Sequence, residues 1–153
     1  VMHWHCLPFA ELGVQRLYDL LALRSEVFVV EQQCVFLDID GLDRHTWHLL
    51  GEADDGQLQA YARLIPPGLK GDDALIGRVV TAPAARGSGA GRDLMTEALA
   101  HCLQLWPQHG ITLHAQAHLE RFYAGFGFQP VGPTYIEDDI PHIEMRRPQG
   151  DKT

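Results

Sequence analysis

Three scarcities narrow the reading of this 153-residue chain before any motif is considered. Cysteine is one: Cys6, Cys34 and Cys102 are an odd number without paired spacing, which excludes a disulfide framework and fits free thiols in a reducing cytoplasm. Long apolar runs are another, since none approaches the roughly 20 residues that span a bilayer, and no membrane partner is expected. The first residues, Val1-Met2-His3-Trp4-His5-Cys6, show no basic stretch leading into an apolar one, so no secretory leader is expected. Positive charge is the third. Twelve Lys and Arg against 20 Asp and Glu give a formal charge of −8, which argues against a nucleic-acid partner. That balance either steers a cationic substrate or serves solubility.

What remains is an ordinary globular composition, 46% hydrophobic and 21% charged. The length fits a single domain over 1–153, with a disordered tail expected from about residue 148. Residues 2–6 read as a first strand. From Val14 a helical period puts Val14, Leu17, Tyr18, Leu21 and Phe28 on one face. Gly41 with Asp38, Asp40 and Asp43 marks a loop. Strands are predicted over 47–52 and 58–65, joined by the hairpin-turn sequence Asp54-Asp55-Gly56, and again over 75–81. A helix follows from Gly91 to about Trp106, stopped by Pro107 and Gly110. A strand over 111–115, a short helix around Tyr123, a strand from Phe128 and a last strand near 142–146 complete the order.

The most telling stretch is Arg86-Gly87-Ser88-Gly89-Ala90-Gly91, between the 75–81 strand and a helix. Glycines allow positive φ and close approach of the backbone, and the first N–H groups of a helix point at negative charge, so the expected ligand is a phosphate or pyrophosphate. No Lys-Ser or Lys-Thr follows, which removes the P-loop. The third glycine of the dinucleotide fingerprint is missing because position 92 is Arg. The pattern Arg/Gln-x-x-Gly-x-Gly/Ala is met by Arg86, Gly89 and Gly91. It resembles the coenzyme A pyrophosphate loop of the GNAT acetyltransferase superfamily. A second motif, Phe122-Tyr123 followed by Gly127-Phe128, resembles that superfamily's other half. Leu23-Arg24-Ser25-Glu26-Val27-Phe28-Val29-Val30-Glu31-Gln32, Asp38-Ile39-Asp40-Gly41 and Ile140-Pro141-His142-Ile143 add similarity to its ElaA-type branch over nearly the whole chain.

The resemblance implies an α/β (α+β) fold: a mixed, mostly antiparallel central sheet with splayed middle strands and flanking helices. It implies acetyl-CoA as cofactor, with coenzyme A as product, entering the gap between the strand ending at Thr81 and the strand ending near Gln116. Backbone groups of Val79, Val80 and Thr81 would pair with the pantetheine arm, and N–H groups of Gly87, Ser88, Gly89, Ala90 and Gly91 would hold the pyrophosphate. Arg86 would touch a phosphate or cap the loop. Gln116 would bind the cofactor arm or the start of the Tyr123 helix. The implied activity is transfer of acetyl to a primary amine of a small molecule or peptide by direct attack in a ternary complex. Tyr123 is then the donor to the leaving sulfur, and the N–H of Val79 or Val80 polarises the carbonyl.

A base is harder to find, because the 75–81 segment holds no carboxylate. Glu31, Asp40, His45, His114 and His142 are the substrate or base candidates. Glu31, Asp38 and Asp40 form either a polar pocket for an ammonium group or a solvated loop. Nine histidines invite a metal, but His45-x-x-His48 and His114-x-x-x-His118 do not make a one-face pair, and no metal is expected. A non-catalytic acetyl-CoA sensor and a longer-chain acyltransferase, similar to acyl-homoserine-lactone synthases, are the alternatives. A homodimer is compatible with the sequence.

Overall fold

A computed structural model describes residues 1–150; the last part of the tail expected to be disordered, 151–153, lies outside the described residues. In chain order the elements are β1 (His3–Pro8), α1 (Gly13–Arg24), β2 (Trp47–Glu52), β3 (Leu58–Ile65), β4 (Ala74–Thr81), α2 (Ala90–Leu105), β5 (Ile111–Gln116), α3 (Glu120–Ala124), β6 (Gln129–Pro130), β7 (Tyr135–Glu137) and β8 (Ile140–Arg147). The strands make one sheet in the order β1-β2-β3-β4-β5-β8-β6, with β7 also on β8. Among the described residues only β4 and β5 run parallel; every other pairing is antiparallel. This is the mixed, mostly antiparallel sheet with flanking helices that the motifs implied.

Strand alternation sends successive side chains to opposite faces, and each face is covered differently. Leu49, Ala60, Ala62, Leu64 and Ile76 pack with Leu94, Met95, Ala98 and Cys102 of α2 and with Tyr123 and Phe128. The α2 residues recur at helical spacing, which makes its inner stripe. On the opposite face Leu50, Tyr61 and Val80 meet Leu12, Leu20, Leu23 and Val27 of the α1 segment. Here the sequence reading of α1 is corrected. Val14 and Tyr18 are 87% and 76% exposed, whereas Leu20, Leu23 and Arg24 are buried. The turn is also wider than assumed, because α1 runs on into a π-helical stretch, Ser25–Glu31. Each residue there advances the face less than in an α-helix, so the buried stripe drifts.

One irregularity sets up the site. Ile76 and Val80 lie an even number of residues apart, so on a regular strand they would share a face. They point into opposite cores. Pairing with β3 explains it: Tyr61 opposes Val80 while Arg63 opposes Gly77, so β4 carries one extra residue there. Arg78 sits in that bulge with φ of +49°, a left-handed conformation costly for a side chain this large.

Candidate active site

The bulge interrupts the ladder of β4 with β3, and the ladder of β4 with β5 stops just short of it. Strands β4 and β5 pair only at Ala74 with Ile111 and Leu75 with Thr112. Beyond Leu75 they part, so from Ile76 to Thr81 the β5-facing edge of β4 has no strand partner among the described residues. Val79, Val80 and Thr81 therefore lie along a gap whose far side ends at Gln116. Gln116 is half-buried and sits opposite His142 of β8 in register.

The glycine loop lies between β4 and α2. Gly87 and Gly89 have φ of +81° and +85°, and Gly89 caps α2. The cap supplies no side-chain acceptor. Among the described residues the N–H groups from Gly87 to Arg92 reach no carbonyl or side-chain acceptor, the next bond in line being Asp93 N–H to the Gly89 carbonyl at 3.1 Å. A Cβ built at Gly87, Gly89 or Gly91 meets nothing within 4 Å, so no protein atoms crowd these glycines on that side. Ala90 is buried beneath it, and the Ser88 hydroxyl donates to the Ala85 carbonyl, fixing the turn from behind. Arg86 is engaged sideways: its Nη2 lies 2.7 Å from Oε1 of Glu31, both half exposed. That contact ties the loop to the end of the π-helical stretch and gives Glu31 a cationic partner.

Tyr123 is carried on α3, whose one and a half turns follow a 3-10 turn, Ala117–Leu119. Its ring is only 7% exposed and packs edge-on against Phe122 and Phe128 at centroid distances of 5.1 and 6.4 Å. Among the described residues the hydroxyl makes no hydrogen bond, yet it is not one of the polar atoms sealed from solvent. Burial raises its pKa, so the phenol stays protonated at neutral pH. The phenol is held by its ring and presents a free O–H.

The acidic loop turns out to be neither of the two things expected of it. Asp38, Asp40 and Asp43 are matched by Arg24, Arg63 and Arg78. Arg24 is fully buried; its Nε donates to Asp38 Oδ2 at 2.8 Å and its Nη1 to Asp43 Oδ1 at 2.8 Å. Arg63 grips Asp40 through two bonds of 2.8 and 2.7 Å and reaches Asp43 at 3.1 Å. Arg78 donates to Asp38 Oδ1 at 2.9 Å and its guanidinium lies over Phe36. Desolvation by itself raises the carboxyl pKa of Asp40, but the bonds from Arg63 and the Leu42 N–H, with the charges of Arg63 and Arg78, hold it well below the usual range. Asp40 is therefore corrected from a candidate base to a structural anion. The network pins residues 32–46 to α1, β3 and the bulge, and includes a buried Arg63 Nε without a partner among the described residues.

The histidines separate in the same way. His45 is exposed in a 3-10 turn, Asp43–His45, beside this network. His48 is buried, with Nδ1 at 2.7 Å from the Tyr61 hydroxyl and Nε2 at 2.9 Å from the Asp43 carbonyl, a structural role. His114 and His142 sit on β5 and β8, on the face opposite α2. Both meet Tyr135: His114 Nδ1 is 2.9 Å from its hydroxyl, and the His142 ring stacks on it at 5.9 Å. The sequence reading had missed Tyr135, because the three-residue β7 gives too short a run to show alternation. Cys102 is sealed in the core and its thiol is pushed up to about 12 by burial, which leaves no thiolate for a covalent route. Among the described residues no group of three or more His, Cys, Asp or Glu is arranged to hold a metal, and no helix is long and apolar enough to cross a membrane.

This geometry has close counterparts. The sequence profile described as "Acetyltransferase (GNAT) domain" matches residues 40–148. Protein ElaA of Escherichia coli (strain K12) is 48% identical over 153 residues, covering 96% of this chain and 97% of its own. The crystal structure of an acyl-CoA N-acyltransferase from Pseudomonas aeruginosa superposes with a TM-score of 0.93 at 48% identity, covering 96% of this chain and 99% of that one. The acyl-homoserine-lactone synthase LasI shares the fold at a TM-score of 0.76 and 17% identity, over 98% of this chain and 91% of its own. The chain belongs to the GNAT acetyltransferase family, within its ElaA-type branch.

Proposed function

We propose that this chain works as one N-acetyltransferase domain over 1–153, moving acetyl from acetyl-CoA to a primary amine by direct attack in a ternary complex. One observation carries the reading: a run of N–H groups, Gly87 to Arg92, unbonded among the described residues, follows the strand whose parallel pairing with β5 ends at Leu75. Such a run binds phosphate oxygens, and an unpaired strand edge accepts an extended amide chain. Coenzyme A carries both chemistries, and when bound its acetyl thioester supplies the activated carbonyl.

The remaining work falls to the chain's own groups. Gly87, Ser88, Gly89, Ala90 and Gly91 hold the pyrophosphate, with Arg86 beside them. The Val80 and Thr81 backbone and Gln116 flank the pantetheine arm. Val79 lies in the bulge outside the β3 ladder, which favours its N–H over that of Val80 as the donor that polarises the carbonyl. Tyr123 donates its free O–H to the departing sulfur. Model values near 10 for a phenol and 8.5 for a thiol put complete proton transfer about 2 kcal/mol uphill, and burial of Tyr123 adds to this. The hydroxyl thus stabilises the departing thiolate as a hydrogen-bond donor and keeps its own proton.

The test is amine-dependent release of free thiol from acetyl-CoA across polyamines, amino acids, aminosugars and short peptides. Tyr123→Phe is expected to lower kcat about 100-fold with little change in the KM for acetyl-CoA. It should melt within about 0.5 kcal/mol of the parent, because no hydrogen bond within the protein is lost. Equal kcat in the two proteins would remove Tyr123 from the chemistry. Tight acetyl-CoA binding with no turnover on any amine would make the chain a sensor.

A further inference from the structure

Strands β5 and β8 keep one face for the α2 core and leave the other open. Ile111, Leu113 and Ala115 point into the core, as do Ile143 and Met145. Alternation then puts Thr112, His114 and Gln116 on the opposite face, opposed in register by Arg146, Glu144 and His142. Helix α1 covers that face over β2 to β4 and does not reach β5 and β8. A cavity of about 370 Å³ fills the uncovered part, lined among others by Leu75, Thr112, His114 and Glu144. Leu75 and Thr112 are the last residues paired across β4 and β5, so the cavity lies where the strands begin to part. His114 is the next residue of β5 on that face, at the start of the gap.

Its polar groups are unequally matched. Arg146 is neutralised by Asp73 through bonds of 2.6 and 3.0 Å, and Thr112 donates to the same carboxylate at 2.8 Å. Among the described residues Glu144 forms no ion pair, and it stands directly across from His114. The groups facing His114 are Glu144 and Arg146 from β8, Tyr135 from β7, and Lys70, Asp72 and Asp73 from the β3–β4 connection. Tyr135 takes Nδ1 at 2.9 Å, which leaves Nε2 as the nitrogen available to a ligand. By contrast His142 is spent: Nδ1 is 2.7 Å from the Ile140 carbonyl, Nε2 lies 3.8 Å from Glu137, and its side chain is 12% exposed.

We infer that this cavity is the acceptor site, that it takes a primary alkylammonium ion, and that His114, positioned by Tyr135 and faced by Glu144, removes the ion's proton. The inference rests on the acetyltransferase reading and supplies the base that β4 lacks. Glu144 draws the ammonium group in. One N–H bond of the ammonium breaks, its electron pair stays on nitrogen as the attacking pair, and the proton moves to His114 Nε2. In the tautomer that leaves Nε2 free to take the proton, Nδ1–H donates to the Tyr135 hydroxyl oxygen, which holds the ring in place. His114 is exposed, so the proton passes on to solvent. An acceptor of this class needs no long apolar pocket.

Three variants test it in the thiol-release assay, with the best amine of the panel. His114→Gln should lower kcat about 100-fold and abolish the acidic limb in the pH profile of kcat/KM. Tyr135→Phe should move that limb and lower kcat less. Glu144→Gln should raise the KM for the amine about 10-fold, and all three should keep the KM for acetyl-CoA. An unchanged pH profile and kcat in His114→Gln would overturn the inference while leaving the acetyltransferase reading intact. Absence of acetyl-CoA binding in the parent chain would instead strike at that reading. A second measurement needs no turnover: in NMR titrations with n-butylamine, the His114 ring signal, assigned by its loss in His114→Gln, should shift in the parent and need about 10-fold more amine to shift as far in Glu144→Gln. A His114 signal unmoved by the amine in the parent overturns the proposed site.

Discussion

Replacing Arg24 with Met deletes the buried guanidinium that joins α1 to the 32–46 loop, while the thioether fills much of the same space. Two carboxylates then lose a partner, Asp38 at 2.8 Å and Asp43 at 2.8 Å. Breaking a buried ion pair on one side costs about 3–5 kcal/mol, because the remaining charge is left poorly solvated. Neither aspartate is stranded, however: Asp38 keeps Arg78 at 2.9 Å and Asp43 keeps Arg63 at 3.1 Å. The loss should therefore fall at the lower end, about 3 kcal/mol. For a chain of this size each kcal/mol moves the midpoint by about 2–4 °C, so Arg24→Met should melt about 6–12 °C lower. Thermal denaturation followed by circular dichroism at pH 7 reads this directly. The double variant Arg24→Met/Asp43→Asn should recover about 1 kcal/mol, since it also removes the negative charge left in excess over Arg63 and Arg78. A single variant within 2 °C of the parent would refute the reasoning and make the network incidental to stability.

Two further outcomes follow from single residues. Gly89→Ala forces a Cβ onto a φ of +85°, with open space around it; the fold should lose about 1 kcal/mol, whereas acetyl-CoA affinity by calorimetry should drop at least about 10-fold. His48 has its pKa lowered by burial, a pull only partly offset by Asp43, so the folded chain resists a proton that the unfolded chain accepts near pH 6.5. Stability should accordingly fall as the pH drops from 7.5 to 5.5, and urea unfolding of His48→Gln should show a slope shallower by up to about 1 kcal/mol over that range.

Much of the scaffold was legible because it rests on local signals. β2 and β3 begin and end where alternation and the Asp-Gly turn put them, and α2 lies between the glycine run and Pro107 as the stop signals required. The glycine loop and Tyr123 could be picked out because each occupies one contiguous motif. What escaped depends on partners distant in sequence. Arg24 interrupts the apolar stripe of α1, and nothing local shows that its charge is met by Asp38 and Asp43, 14 and 19 residues on. Leu17, Leu21 and Phe28 do pack against the core, but counting Val14 and Tyr18 with them turned the stripe toward solvent. The bulge at Arg78 was equally hidden, since arginine carries no preference for positive φ; it exists because β3, the 32–46 loop and β4 close on one another. His114 was visible as a titratable residue on a strand, but its pairing with Tyr135 and Glu144 belongs to the sheet register.

The decisive measurement is the melting temperature of the full chain with and without acetyl-CoA, with calorimetry to fix the affinity. At 100 times its dissociation constant the cofactor should stabilise the fold by about 2.7 kcal/mol, or about 5–10 °C, and Gly89→Glu should erase the gain by placing a like charge before the bare amides of residues 87–92. An unshifted midpoint together with no heat of binding would contradict the assignment of that loop to a diphosphate.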